Sequence, residues 1–326
     1  MDRVYFQRVR RGYRAVRGEM VRGVQLKLKA SGSNPGEADG IYGKDTETAL
    51  KDFQHKNDLQ MSGKITGETW SKLMEEEPPR ILDRCLQLTG DFEGHGFQTV
   101  AGNFDDAGLT WGIIGFTLKH GEIQKILNEV QQKQPSILDQ AFGNLKNELI
   151  RILGQNPREQ LHWADSISIG TKKYRVEQVW EEAFETLGTF PEVQAIQLQR
   201  VNKYWDIALR DSERFRLETE MGIALCFDIA VQNGGIDFRY EEGRIKRWLD
   251  SNPGATDRDK RVLIADVVAE NSRPKYIEDV RQRKRTIATG EGEVHRAKYA
   301  MRDWGIAEFP WQETAPSPPN NLRIIQ

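Results

Sequence analysis

The chain has 326 residues, of which 38% are hydrophobic, and its formal net charge is -2. This length allows two domains with cores of useful size, and the near balance of charges argues against a general affinity for nucleic acid. The exception is residues 1–29, which carry nine Lys or Arg against two acids and form either a solvated basic helix or an element that attracts anionic wall polymers or membranes.

Targeting signals and cysteine chemistry are both sparse. No stretch approaches the ~18 apolar residues of a membrane span, and the basic start lacks the apolar stretch of a secretory signal. We therefore expect a protein made in the cytoplasm that acts on the cell wall after lysis or non-classical export. Cys226 is expected in the core, and a bridge to Cys85 is the less favoured alternative. No metal-ligand spacing occurs, and no cofactor is expected.

Residues 18–75 predict a compact helical core for a domain that spans residues 1–75. Apolar residues recur at helical spacing in three stretches, VRGVQLKLKA, TETALKDFQHKNDL and TGETWSKLM, and the turn-rich SGSNPGEADGIYG separates the first two. Thr66 is the expected N-cap of the third helix. The composition of EEEPPR indicates a linker, which we place at residues 76–80.

The segment from Ala38 to Leu73 resembles the peptidoglycan-binding domain found on many cell-wall hydrolases. The matching elements are Asp39-Gly40-x-Tyr42-Gly43, Thr46, Ala49-Leu50, Phe53-Gln54, Leu59, Gly63-x-Ile65 and Thr69-Trp70. Most of these residues explain folding, since the glycines permit a tight turn and the large apolar residues form a core. The resemblance implies that the contact face for the wall polymer lies around Asp39 and Tyr42.

Residues 81–309 are predominantly helical in pattern and predict a larger second domain, followed by an extended tail at 310–326. The amphipathic stretches are 121–153, 174–187, 191–233, 239–250, 257–271 and 273–288. A glycine-rich segment at 90–115 interrupts them and has β-hairpin character. The predicted fold class is therefore mainly α, an α+β arrangement in which a short hairpin sheet lines a cleft.

The glycine-rich segment holds the candidate catalytic acids. Glu93 ends a predicted helix, Asp105 and Asp106 follow twelve and thirteen residues later in a glycine-bracketed loop, and Thr110 opens an apolar strand. Hydrolysis of a glycosidic bond needs one protonated carboxyl and one ionised carboxylate. A carboxyl beside apolar side chains holds its proton to higher pH, whereas a polar loop favours the charged form. Glu93 therefore suits the acid, and a loop aspartate suits the base.

This segment resembles the family-46 chitosanases and, more remotely, the phage-type lysozymes of the same superfamily. The matching string is Glu93, Asp105, Thr110 and Gly112-Ile113-Ile114-Gly115-Phe116. The resemblance implies a lysozyme-like catalytic domain with Glu93 as acid, Asp105 as base, Asp106 as the alternative base, and Thr110 placing the attacking water. Glu122 falls where the family has an acid that contacts the substrate amino group. Ala107 departs from the family's usual arginine and indicates a different substrate environment.

Three further residues have two readings each. His95 and Trp111 are candidate substrate contacts, although His95 also suits a surface loop and Trp111 also suits packing in the hairpin. Asp228 lies inside the apolar run IALCFDIAV and needs a buried partner. Arg281 or Arg285, from the basic run RQRKR, is the expected partner in a structural ion pair, and a ligand contact is the second reading of Asp228.

These residues predict a glycoside hydrolase of β-1,4-linked amino-sugar polymers. The favoured substrate is peptidoglycan, cut by an inverting, muramidase-type reaction, because a wall-binding module raises the local concentration of that polymer. Chitosan is the alternative substrate, and a non-catalytic wall-binding protein is the second alternative. The expected partner is the polysaccharide alone, with no nucleic acid and no metal, and a monomer is expected.

Overall fold

The structure, a computed structural model, describes residues 3–94 and 96–311. It is mainly α-helical with small antiparallel sheets, which confirms the predicted fold class. The helices are α1 (Glu19–Ala30), α2 (Lys44–Lys56), α3 (Gly67–Met74), α4 (Ile81–Glu93), α5 (Glu122–Lys133), α6 (Pro135–Phe142), α7 (Lys146–Leu153), α8 (Pro157–Ser166), α9 (Gln178–Thr189), α10 (Pro191–Arg214), α11 (Glu220–Asn233), α12 (Glu241–Ser251), α13 (Asp257–Glu270) and α14 (Ile277–Thr289). The strands are β1 (Val4–Gln7), β2 (Lys64–Thr66), β3 (Val100–Ala101), β4 (Thr110–Trp111), β5 (Phe116–Thr117), β6 (Ser168–Ile169), β7 (Arg175–Val176), β8 (Glu291–Val294) and β9 (Ala297–Ala300).

The chain divides into two compact units. Unit 1 combines the described residues up to Thr89 with those from Asn202 onward, and unit 2 runs from Gly90 to Val201. The boundaries fall inside α4 and α10, away from the irregular segment at residues 76–80 where we expected a linker. Charge and proline content, which suggested that linker, mark an irregular segment but do not report which elements pack together.

The three predicted helices at the start of unit 1 are present as α1, α2 and α3. Thr66 caps α3 as expected, because its hydroxyl accepts a hydrogen bond from the backbone N–H of Thr69 at 3.3 Å. The antiparallel pair β1–β2 joins them, with Phe6 opposite Ile65. Both of these side chains are fully buried. The helical pattern did not predict β1, which closes this small core from the basic start of the chain.

The basic start forms ion pairs within unit 1. Arg3 pairs with Glu220, a buried acid that also accepts a hydrogen bond from Arg84. Arg8 pairs with Glu47 at 3.0 Å. Residues 4–7 form a strand, so a solvated basic helix does not describe the whole segment, and attraction of anionic wall polymers or membranes stays a prediction. Several of its cations have acids of the same unit as partners.

The rest of unit 1 is organised around α11, which is buried along most of its length. Cys226 lies in this helix with 0% exposure, as expected of a core residue. Cys85 is also buried, and both cysteines are free, so the alternative of a disulfide bridge is wrong. Burial raises the pKa of each thiol, which keeps both protonated and unreactive.

Unit 2 packs five helices and the first part of α10 around small sheets. Strands β3, β4 and β5 form an antiparallel sheet in that order, and β6 pairs with β7 as a separate hairpin. An aromatic cluster lies inside the unit, where the rings of Trp163 and Trp180 are 5.0 Å apart and those of Phe142 and Phe184 are 5.2 Å apart. Pro135 and Gly143 divide the predicted helical stretch 121–153 into three helices.

Across the described residues of both units, no helix combines the length and the apolar character that a membrane span requires.

Candidate active site

Glu93 is the last residue of α4, and its side chain is half-buried. The neighbouring Phe92 is only 2% exposed. Gly94 follows with a φ of 69°, a left-handed conformation that ends the helix. A partly exposed carboxyl therefore lies at the end of this helix, near the start of unit 2.

A buried glutamine, Gln197 of α10, ties the segment after α4 to the sheet. Its Nε2 donates to the carbonyl of Phe97 at 3.1 Å, and its Oε1 accepts from the N–H of Ile113 at 3.0 Å. The N–H of Gly112 donates to the carbonyl of Thr99 at 3.1 Å. A Cβ at Gly112 would lie 2.5 Å from the Gln197 amide oxygen, so this approach requires glycine. The sequence offered no signal for Gln197 except its place in a helix.

Gln197→Ala is expected to lower the free energy of unfolding by about 2–4 kcal/mol. The change leaves the carbonyl of Phe97 and the N–H of Ile113 buried without their partner, and each such group costs about 1–3 kcal/mol. Urea denaturation followed by circular dichroism measures the loss. Gln178→Ala is the matched control, because Gln178 is exposed on α9 of the same unit. Equal effects of the two changes would contradict the bridging role.

The loop between β3 and β4 is fixed by Asn103. The side-chain amide of Asn103 donates to Asp165 Oδ1 at 2.9 Å, and its carbonyl oxygen accepts from the N–H of Gly108 at 2.9 Å. Its backbone N–H donates to the hydroxyl of Ser168 at 2.9 Å. Hydrogen bonds from Lys173 and then from Asn103 lower the pKa of Asp165. Asn103 therefore ties the start of this loop to its end at Gly108, and also to Asp165 of α8 and Ser168 of β6.

Asp105 and Asp106 lie at the tip of this loop, and both are exposed. Asp105 Oδ1 accepts a hydrogen bond from the N–H of Ala107 at 3.1 Å, whereas Asp106 has a left-handed φ of 65°. Ala107 itself is buried. The side chain at position 107 thus brings no cation to Asp105, which is oriented by backbone instead.

The two residues of β4 are buried. Thr110 is 6% exposed and pairs with Ala101 and Thr117 on either side. Trp111 is 0% exposed, its Nε1 donates to the carbonyl of Phe184 at 3.2 Å, and the two rings are 5.6 Å apart. A ring with no exposed face cannot stack on a sugar, so the substrate-contact reading of Trp111 is corrected to packing.

Glu122 and His120 flank the sheet. Glu122 is the first residue of α5, is 4% exposed, and accepts a hydrogen bond from Lys125 at 2.8 Å. His120 contacts the hydroxyl of Thr117 at 2.7 Å, in the turn before α5. The predicted substrate contact His95 lies outside the described residues. Glu122 is therefore a buried, paired acid, and recognition of an amino group there would require Lys125 to move.

The arrangement brings a helix-end carboxyl and an exposed loop carboxylate into one unit. Bonds through Phe97 and Thr99 fix the chain shortly after Glu93, and the Asn103 network fixes it shortly before Asp105. Such a pair can supply a half-buried acid and a solvated base, the two groups that glycosidic hydrolysis uses.

Asp228 has different partners from those predicted. Its carboxylate accepts hydrogen bonds from Arg283 at 2.7 Å and from Lys284 at 2.6 Å, whereas Arg281 and Arg285 both pair with Asp266. The expectation of Arg281 or Arg285 was therefore wrong.

Helix periodicity explains the difference. The buried positions of α14 include Val280, Arg283, Lys284 and Ile287, which follow the i, i+3, i+4, i+7 spacing of one face. Burial acts to raise the pKa of Asp228, but the two cations outweigh it and lower the pKa. Thr89 donates a further hydrogen bond to the same carboxylate at 3.2 Å. The ion pair is structural, as the first of our two readings held.

In the N-terminal module, Asp39 and Tyr42 differ in exposure. Tyr42 is 1% exposed and its hydroxyl donates to the carbonyl of Gly63 at 3.2 Å, so it belongs to the core and its assignment to the wall-binding face is corrected. Asp39 is exposed, and its Oδ1 accepts from Gln25 at 2.9 Å and from the N–H of Ile41 at 2.8 Å. Partial burial acts to raise the pKa of Asp39, but the hydrogen bonds outweigh it and lower the pKa.

Two buried glutamines support this module, Gln25 on α1 and Gln54 on α2. Gln54 donates to Thr69 Oγ1 at 3.1 Å and accepts from the N–H of Gly63 at 2.9 Å. Gln25 orders the turn that presents Asp39, since it donates to the carbonyl of Ile41 at 3.1 Å and accepts from the N–H of Gly40 at 2.8 Å. Residues 17–73 match the family described as putative peptidoglycan binding domain. The resemblance of this segment is thereby confirmed, and the chain carries a peptidoglycan-binding domain.

Solved structures similar to this chain include two chitosanases. The family-46 chitosanase of Gynuella sunshinyii, in complex with chitotetraose, has a TM-score of 0.45 and 14% identity, covering 66% of this chain and 88% of that one. The native chitosanase of Bacillus subtilis MY002 has a TM-score of 0.45 and 17% identity, covering 67% of this chain and 96% of that one. A mutant of the latter with six glucosamine units matches at 16% identity. No curated protein gives a significant match in sequence.

Proposed function

We propose that this chain is a glycoside hydrolase that cuts the glycan strands of peptidoglycan. The observation that carries the proposal is that Glu93, half-buried at a helix end, and Asp105, exposed on a tethered loop, belong to one unit of a chain that also holds a peptidoglycan-binding domain. Binding through that domain concentrates the polymer at the enzyme without adding a catalytic group.

Glu93 donates a proton to the glycosidic oxygen, and the Asp105 carboxylate takes a proton from the attacking water. Thr110 orders that water next to the sheet. Attack from the face opposite the leaving group inverts the anomeric carbon, a geometry that uses carboxyls about 6.5–9.5 Å apart. NMR of the first products reports the anomer, and retained configuration would contradict this mechanism.

Asp105→Asn is expected to reduce the rate of peptidoglycan cleavage by about 10²–10⁴-fold, since an amide cannot accept the proton from water. Asp106→Asn is the matched control, because it removes the same charge from the next residue of the same exposed loop. It should change the rate by less than threefold, roughly. The release of reducing ends from purified peptidoglycan measures both rates. A greater loss of rate with Asp106→Asn than with Asp105→Asn would make Asp106 the base.

Chitosan is the second candidate substrate, favoured by the chitosanase-like string from Glu93 to Phe116. Viscosity loss of a chitosan solution is the direct test. Rapid loss, together with no release of reducing ends from peptidoglycan, would replace the first proposal with this one. If neither polymer is cut, the chain acts as a wall-binding protein without catalysis.

A further inference from the structure

An exposed hairpin is attached to the loop that bears Asp105. The N–H of Gly102 donates to the carbonyl of Tyr174 at 2.9 Å, which joins the hairpin β6–β7 to the end of β3. A Cβ at Gly102 would lie 2.5 Å from the carbonyl oxygen of Lys173 and 2.6 Å from that of Arg175. Only glycine permits this approach, so the hairpin has a defined position beside the loop.

The hairpin and the loop each contribute an exposed aromatic ring. The rings of Phe104 and Tyr174 are 5.0 Å apart and inclined at 46°. Phe104 is 43% exposed and Tyr174 is 57% exposed, unlike the buried aromatic cluster inside the unit. Adjacent exposed rings form an apolar surface of the kind that marks ligand sites. The apolar face of a pyranose ring can stack on such a surface, directly next to Asp105 in the chain.

The same hairpin is basic. Its tip carries Lys172 and Lys173, and Arg175 begins β7, all of them exposed. Lys173 is paired with Asp165. Among residues 3–94 and 96–311, Lys172 and Arg175 form no ion pair. Cations of this type bind carboxylates and repel amines, so the hairpin complements an acidic glycan and opposes glucosamine polymers. Asp105 and Asp106 follow Phe104 directly in the loop, next to the ring pair in the chain.

We propose that residues 168–176 form a substrate-binding arm for a carboxylated glycan strand, with Phe104 and Tyr174 stacking on a sugar ring and Lys172 and Arg175 holding its carboxylates. The inference rests on the proposed function and assigns its specificity: wall strands carry carboxylates, on stem peptides and on muramyl residues that bear no peptide, whereas chitosan carries ammonium groups. The arm thus selects the wall polymer at the cleavage unit, independently of the peptidoglycan-binding domain.

Binding by the full chain tests the arm. The chain with Glu93→Gln is titrated calorimetrically with three hexasaccharides: alternating N-acetylglucosamine and N-acetylmuramic acid, N-acetylglucosamine alone, and glucosamine alone. Adding Tyr174→Ala should weaken binding of the first two by about tenfold. Adding Lys172→Glu and Arg175→Glu should weaken the muramyl saccharide by about tenfold, leave the neutral one unchanged and strengthen the glucosamine one.

Tyr240→Ala and Lys275→Glu are the matched controls, since both side chains are exposed in unit 1. They should leave all three affinities unchanged. Unchanged binding of the muramyl saccharide in the hairpin variants would overturn the arm, even if the wild-type chain cleaves peptidoglycan. Conversely, lost binding in those variants would support the arm even if no cleavage occurs, so the two proposals fail separately.

Discussion

Glu93→Gln is expected to slow polymer cleavage by about 10²–10⁴-fold without unfolding the chain. Glutamine keeps the size and hydrogen-bonding capacity of glutamate but cannot donate a proton to the leaving oxygen, and positioned proton transfer contributes a factor of this size. The side chain is half-buried at the end of α4, so an isosteric change leaves no cavity. The rate of reducing-end release from purified peptidoglycan measures the loss.

Glu185→Gln is the control for Glu93. Glu185 is exposed on α9 of the same unit, and its neutralisation should leave the rate within twofold, roughly. Circular dichroism should give the same melting temperature for both variants. A Glu93→Gln chain that is folded and fully active would remove the acid from the mechanism and, with it, the hydrolase proposal in its present form.

Asp228→Asn is expected to lower the free energy of unfolding by about 3–5 kcal/mol, the largest stability effect that the structure suggests. Arg283 and Lys284 are 1% and 0% exposed, so the change removes the Asp228 charge from beside two buried cations. Asp266→Asn is the control, because Asp266 pairs with Arg285 near the surface of the same unit. The control should cost less than about 1 kcal/mol.

The Asp228 contribution also depends on pH. Its pKa is lowered in the folded state, so the stabilisation is fully present above the ordinary carboxyl pKa of ~3.9 and is lost as pH falls toward the folded value. The difference in unfolding free energy between wild type and Asp228→Asn should therefore be constant from neutral pH to about pH 5 and shrink at lower pH. Urea titrations at several pH values measure it. A difference that grows on acidification would contradict the ion pair.

The sequence predicted those helices and turns whose formation depends on residues close together in the chain. The periodicity of the first three helices, the Thr66 cap of the third and the glycine-rich hairpin appear where expected. α8 was missed although Asn156 caps it and Pro157 opens it, because its composition is polar and its apolar face is narrow. The strand β1 and the two-residue strands β6 and β7 were also missed. β1 exists through pairing with the distant β2, which periodicity cannot report, and β6 and β7 are too short to show an alternating pattern.

Side-chain roles were harder to predict than elements. Tyr42 and Trp111 are motif residues whose side chains end in a polar group, which suits ligand contact as well as burial. Only the folded structure shows that both side chains lie in the core. The partner of Asp228 could have been found, since the face of α14 that bears Arg283 also bears Val280 and Ile287. Gln197 could not, because its two partners lie about 85–100 residues away in the chain.

Mass spectrometry of borohydride-reduced products from purified peptidoglycan tests the central claim most directly. Cleavage after muramic acid leaves that sugar as the new reducing end, and borohydride then reduces it to muramitol. We expect disaccharide-repeat fragments ending in muramitol, produced by the wild-type chain and absent with Glu93→Gln. Intact glycan strands after prolonged incubation, or equal products from both proteins, would contradict it.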